Sequence, residues 1–347
     1  MVGMPKVIGL LLMSCMLVSC EACQKSDQHE ASESNEVVHQ TDEVMDPLRT
    51  SLQLDRQIEK VFPARNLRPA AEQRQFIGAR KKTILVDDSG AKWLFKSSGS
   101  LGDEGSDVIR CTTDLLTLCG VKVPRAYAYE FSGNEGTVEI YVEDSINLIG
   151  YDLHRLTPDH LEYLGNHQVV DWLVSDLDRH RGDFILVGST GELYGLDMEG
   201  SFDEIDVTTL TDQSIGWIYK FIREEYLSGR SAPPFTSPQG LVGFFVSLDD
   251  SVIVELFEGQ DRPTHKLDCE AIIRSILEKK HHLLSDFKDY YATLAESVDR
   301  FDDYHDAWSD EQIKRSTEAY QRHVVEFLEE RISIQHRFLN GEFVDFL

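Results

Sequence analysis

The chain has 347 residues, 41% of them apolar and 10% aromatic, enough for two lobes or one large domain with a well-buried core. Acidic residues outnumber basic ones 61 to 34, for a net charge of −27. Such a surface repels phosphate backbones and anionic headgroups, which argues against nucleic acid and a broad lipid face as partners. A small anion held by a lysine and metal ions stays possible.

In chain order, Lys6 and the apolar run Val7 to Val18 read as a signal peptide over residues 1–19, too short to span a membrane comfortably. The run ends in Leu17-Val18-Ser19-Cys20, which looks like a bacterial lipobox. Cys20 is therefore expected to carry lipid and to anchor the mature chain to a membrane of the cell envelope without spanning it. An ordinary secretory signal with incidental cysteines is the alternative. Residues 20–46 are polar and rich in Ser, Glu, Gln and Asp, so a disordered tether is expected there, with the folded domain over 47–347. Cys23, Cys111, Cys119 and Cys269 have no zinc-site spacing and read as buried thiols.

A short helix is predicted around Leu52 to Val61. Thr83 to Val86 and Lys92 to Lys96 read as strands joined by the hairpin turn Asp87-Asp88-Ser89-Gly90. A Gly/Ser-rich loop, Ser97 to Gly105, leads into a helix from about Ser106 to Leu118, with Gly120 as its stop. Tyr127 to Phe131 and Val138 to Val142 form another strand pair. Pro158 to Val174 is a helix capped by Thr157. After Phe202 the pattern turns helical, over Ile215 to Tyr226, Gly240 to Val246, Cys269 to Leu294 and Asp310 to Phe338.

The stretch from Gln168 to Phe202 carries the chemistry. A charged turn, Asp178-Arg179-His180-Arg181-Gly182-Asp183, feeds the strand Phe184 to Val187, and a Gly-containing turn returns the chain to Asp197. Three carboxylates at the ends of adjacent short strands can converge, and converging carboxylates suit a hard divalent cation. Phosphoryl transfer needs such a cation, a lysine for the nucleotide phosphates and an aspartate near the acceptor oxygen. Asp178 fits the acceptor role, Asp183 and Asp197 the metal, and Lys96, closing an apolar strand before a Gly/Ser loop, the phosphates. The bland alternative makes Asp178 and Arg179 a surface turn with an exposed ion pair, and Lys96 a solvated strand end.

These parts together resemble the atypical kinase-like families: phosphatidylinositol 3-/4-kinase-like, actin-fragmin kinase-like, HipA-like and the secretory-pathway casein kinases. The resemblance rests on Asp178-Arg179-His180, Asp183, the segment Leu196-Asp197-Met198-Glu199-Gly200-Ser201-Phe202, the strand Trp93-Leu94-Phe95-Lys96, and the junction Gly120-Val121-Lys122-Val123-Pro124. It implies an α+β, two-lobed protein-kinase-like fold with a strand-rich N-lobe over about 76–144 and a mainly helical C-lobe over about 145–347. It also implies ATP with Mg²⁺ or Mn²⁺ as cofactors, adenine lying against Val138 to Asp144. The phosphate acceptor would be a hydroxyl on a protein or an inositol lipid. Two positions depart from the family pattern. Asp183 stands where Asn is common, and the helix acid that should pair with Lys96 is either Glu104 or Asp107. A pseudokinase that binds nucleotide or a protein partner without turnover is the rival reading.

Overall fold

The computed structural model describes residues 43–73, 81–97, 104–211, 214–227, 238–257, 268–297 and 306–342. All of them belong to one unit, Thr41–Leu347. The signal segment, Cys20, Cys23 and the tether up to residue 42 lie outside the described residues, as does most of the Gly/Ser loop.

The first described element is a helix over residues 43–61 (α1). It begins inside the stretch expected to be tether and is longer than the helix predicted at Leu52. The reason is an apolar stripe at helical spacing, Val44, Leu48, Ile58 and then Phe62, all of it buried. The polar residues upstream concealed its first turn from a reading by composition.

Five strands follow as one antiparallel sheet: β1 (Arg68–Pro69), β2 (Lys82–Val86), β3 (Lys92–Ser97), β4 (Ala126–Phe131) and β5 (Asn134–Ile140), in the order β1-β2-β3-β5-β4. The β2–β3 turn is the predicted hairpin. Asp87 Oδ1 accepts from the Ser89 and Ala91 amides at 2.9 and 3.0 Å, and Gly90 takes φ +91°. Between β3 and β4 runs α2 (Glu104–Leu118). Gly120 ends it at φ +64°, with the Val121 amide reaching back to Leu116 O. The sheet buries Trp93, Phe95, Tyr127 and Val138 against Ile58 and Phe62 of the first helical segment and Phe338 near the C-terminus. Phe62 and Tyr127 stack with centroids 4.7 Å apart.

A small second sheet, β6 (Ser145–Asn147), β7 (Phe184–Val187) and β8 (Leu193–Gly195), frames the charged turn; β6 was not foreseen. The remainder is helical: α3 (Pro158–Leu173), α4 (Trp217–Leu227), α5 (Pro238–Ser247), α6 (Asp250–Phe257), α7 (Cys269–Ser297) and α8 (Asp310–Leu339). Thr157 caps α3 as expected, its hydroxyl accepting from the His160 amide. The main core joins α2, α3 and α5 to α8, with Leu115, Val170, Trp172, Phe245, Ile276 and Val324 fully or almost fully buried. The chain is thus α+β, with a strand-rich first part and a mainly helical second part, as expected. Cys111 and Cys119 are buried free thiols, whereas Cys269 is only half-buried, because it opens α7 at the surface end. No described helix is long and apolar enough to cross a membrane.

Candidate active site

The site is built on the Arg179 guanidinium, which is fully buried. Its Nε and Nη2 donate to the two oxygens of Asp171 on α3, each at 3.1 Å. Nη2 also meets Asp176 Oδ2 at 2.9 Å, and Nη1 donates to the carbonyls of Leu196 and Asp197 at 2.6 and 3.1 Å. The sequence alternative of an exposed Asp178–Arg179 ion pair is therefore overturned. The arginine turns inward and ties α3 to the segment after β8, and its fork geometry lets one side chain hold both. Burial alone would push the Asp171 carboxyl up; Arg179 and His167 beside it outweigh burial and hold it down at about 2. The Tyr219 hydroxyl, from α4, also donates to Asp171.

This clamp sets the positions of the acids. β7 and β8 pair through Phe184↔Gly195, and the Leu196 amide donates to Asp183 O at 2.6 Å. Asp183 and Asp197 therefore lie at the same end of one hairpin. The Asp183 carboxylate accepts from the His180 amide at 2.7 Å and faces His180 Nδ1 at 2.8 Å, so His180 braces it. Burial pushes Asp183 up to about 6, and the charge of Asp197 adds to this against the His180 bond and Arg179. Burial likewise pushes Asp176 up to about 7, despite Arg179. Asp197 sits at φ +60°, and Ser175 and Phe202 at +58° and +69°. Among the described residues, three of the four non-glycine residues with positive φ fall between Ser175 and Phe202, a conformation that clusters at functional sites.

Asp178 is exposed, and its backbone amide bonds the Asp176 carboxylate. Of the three carboxylates expected to converge, Asp183 feels the charge of Asp197, whereas Asp178 faces solvent. Among the described residues no group of three or more His, Cys, Asp or Glu side chains surrounds one metal position. A pair fits the chemistry nonetheless, since Mg²⁺ commonly takes one or two carboxylates and completes its shell with phosphate oxygens and water. Asp183, raised chiefly by burial, and Asp197, whose charge adds to the rise, are a donor set that a divalent cation would relieve.

Lys96 is buried, contrary to the solvated alternative, and its Nζ lies 2.9 Å from Glu139 Oε1 on β5. Glu139 was missed in the sequence. It becomes a neighbour only through the register Leu94↔Glu139, which puts it diagonal to Lys96 on one face of the sheet. Of the two helix acids, Glu104 opens α2 with its side chain outside the described residues. Asp107 is buried and lies 3.7 Å from Arg110. Helix α2 packs on the turn Met198–Gly200 that follows Asp197. Lys279, missed as well, reaches from α7 to donate to Trp172 O and Ser175 Oγ at 3.0 and 2.6 Å, bracing the turn before Asp178.

Neither a family model nor a curated protein sequence matches this chain. Solved structures to which the chain is similar include two kinases. The chain shares 12% identity with the Helicobacter pylori proinflammatory kinase CtkA, with a TM-score of 0.43, over 68% of this chain and 98% of that one. With the MAP kinase LmaMPK10 from Leishmania major it shares 11%, at a TM-score of 0.27, over 84% and 98%. With LicA, solved in complex with AMP, it shares 14%, at 0.28, over 72% and 96%.

Proposed function

We propose that this protein is an ATP- and divalent-metal-dependent phosphotransferase acting on a protein hydroxyl. Asp183 and Asp197 would hold Mg²⁺ or Mn²⁺, which neutralises charge on the transferring phosphoryl group when bound. Lys96, steadied by Glu139, would hold nucleotide phosphates, with Glu104 or Asp107 of α2 as further support on the lysine side. Asp178 would orient the acceptor hydroxyl and accept its proton. An inositol lipid is the second acceptor class. The observation that carries the reading is the Arg179 clamp. It ties the backbone at Leu196 and Asp197 to α3, near enough to Asp183 for the Asp197 charge to act on it, and Asp178 is exposed. We further propose that lipid on Cys20 anchors this domain at the cell envelope, with residues 1–19 removed.

The test is purified protein with labelled ATP and Mg²⁺ or Mn²⁺. Label transfer that falls by about 10²–10⁴-fold in Asp178→Ala, and by at least as much in Asp197→Ala, supports the assignment. The Lys96–Glu139 pair favours one rival, a pseudokinase whose lysine is already occupied by a strand carboxylate. Metal-dependent nucleotide binding without transfer would select that rival, and no nucleotide binding would reject both.

A further inference from the structure

Among the described residues only four large apolar side chains are strongly exposed, and three of them lie around the Asp178 turn: Ile146, Ile149 and Trp217. Ile146 sits on β6 opposite Leu186 of β7. A Cβ built on Gly182 would lie 3.3 Å from Ile149 Cδ1 and 2.8 Å from His180 Cε1, so Ile149 abuts the turn itself. On the other flank, Gly216 presses on the loop so closely that a Cβ there would meet Arg179 Cβ at 2.5 Å, and the Ile218 amide donates to Arg179 O at 3.2 Å. That contact delivers the start of α4, with Trp217 67% exposed, to the side of Asp178. Phe221 follows four residues later on the same helix face. Arg181 lies 4.4 Å over the Phe221 ring, and Lys220 lies 5.0 Å over Trp217.

A chain of net charge −27 therefore puts two cations and three apolar side chains next to its one exposed site carboxylate. Local positive charge on a strongly acidic protein selects an acidic partner. The same overall charge opposes docking on an anionic bilayer, whose field would act on the whole molecule. We infer that Ile149, Trp217 and Phe221, with Arg181 and Lys220, form the acceptor-docking strip, and that it takes an extended peptide carrying an acidic residue and an apolar residue beside the hydroxyl. This rests on the phosphotransferase reading for the role of the hydroxyl, while the docking itself requires no nucleotide.

Trp217 supplies the probe, because the other three tryptophans, Trp93, Trp172 and Trp308, are at most 3% exposed. A synthetic peptide with serine between glutamate and leucine is titrated against the full chain, following tryptophan emission. A blue shift is expected, with affinity about tenfold weaker, or more, when lysine replaces glutamate or alanine replaces leucine. Dye-labelled peptide should bind Trp217→Ala at least about tenfold more weakly and Trp217→Phe close to wild type, since the ring is what is buried. Equal binding of the glutamate and lysine peptides, or no binding of either, overturns the inference. So does an emission shift produced by phosphatidylserine vesicles and not by peptide, which would make the strip a membrane face. Peptide-selective binding with no label transfer would sustain the docking strip and count against phosphotransfer. Label transfer that ignores peptide charge would do the reverse.

Discussion

Arg179→Met tests the organisation of the site most directly. The substitution keeps most of the side-chain volume and removes the guanidinium. It leaves Asp171 and Asp176 buried without their cation, and the carbonyls of Leu196 and Asp197 without their donor. Breaking a buried pair by removing one partner costs about 3–5 kcal/mol, a large part of the roughly 5–15 kcal/mol that holds a domain folded. Arg179→Lys should recover little of this, because a point charge cannot bond Asp171 in two places and reach the far carbonyls. The pH dependence provides the sharper signature. In the wild type Asp171 is held at about 2, below its unfolded value, so its stabilisation is present above pH 4 and lost as pH falls toward 2. Without Arg179 its burial is opposed only by His167 and the Tyr219 hydroxyl, and the carboxyl should rise above its unfolded value. The variant should then lose stability between pH 5 and pH 8, relative to wild type. Urea unfolding at those two pH values measures both effects. A cost below about 1 kcal/mol, equal at both pH values, would mean that Arg179 behaves as a surface pair and would refute the clamp.

The raised carboxyls predict a second pH effect. Asp183 and Asp176 titrate near 6 and 7 in the folded protein and near 4 unfolded, so the folded state binds more protons between these values and stability falls as pH rises through that window. Metal-free protein should unfold at lower urea at pH 8 than at pH 5, and Mg²⁺ added at pH 8 should recover part of the loss; a rising profile would contradict the assignment. Lys279 is pulled down to about 8 by burial, so in the wild type stability should rise between pH 8 and 10, where only the unfolded chain keeps that proton. Lys279→Met should abolish that rise and, by freeing Trp172 O and Ser175, cost about 1–3 kcal/mol at pH 7 by thermal or urea unfolding.

Much of this architecture was written locally. Apolar periodicity and capping chemistry marked α3 with Thr157, the β2–β3 hairpin with Asp87 and Gly90, and the end of α2 at Gly120, because each depends on neighbours within a few residues. The first turn of the helix over 43–61 was hidden, since the burial of Val44, Met45 and Leu48 depends on the main helical core they join rather than on their own polar flank. Asp178, Asp183 and Asp197 could be named from spacing, since a turn, a strand and a second turn bring chain ends together whatever surrounds them. Their division into a buried, raised Asp183 near Asp197 and an exposed Asp178 could not. It required the Arg179 guanidinium to turn inward toward Asp171, a residue on a different element. Glu139 beside Lys96 and Lys279 beneath Ser175 were equally silent, one set by strand register and the other by a helix more than a hundred residues away. The sequence by itself determined which residues carry chemistry and in what order. Only the tertiary structure decided which charges are buried against one another, because desolvation and pairing depend on what packs around a group rather than on what lies beside it in the chain.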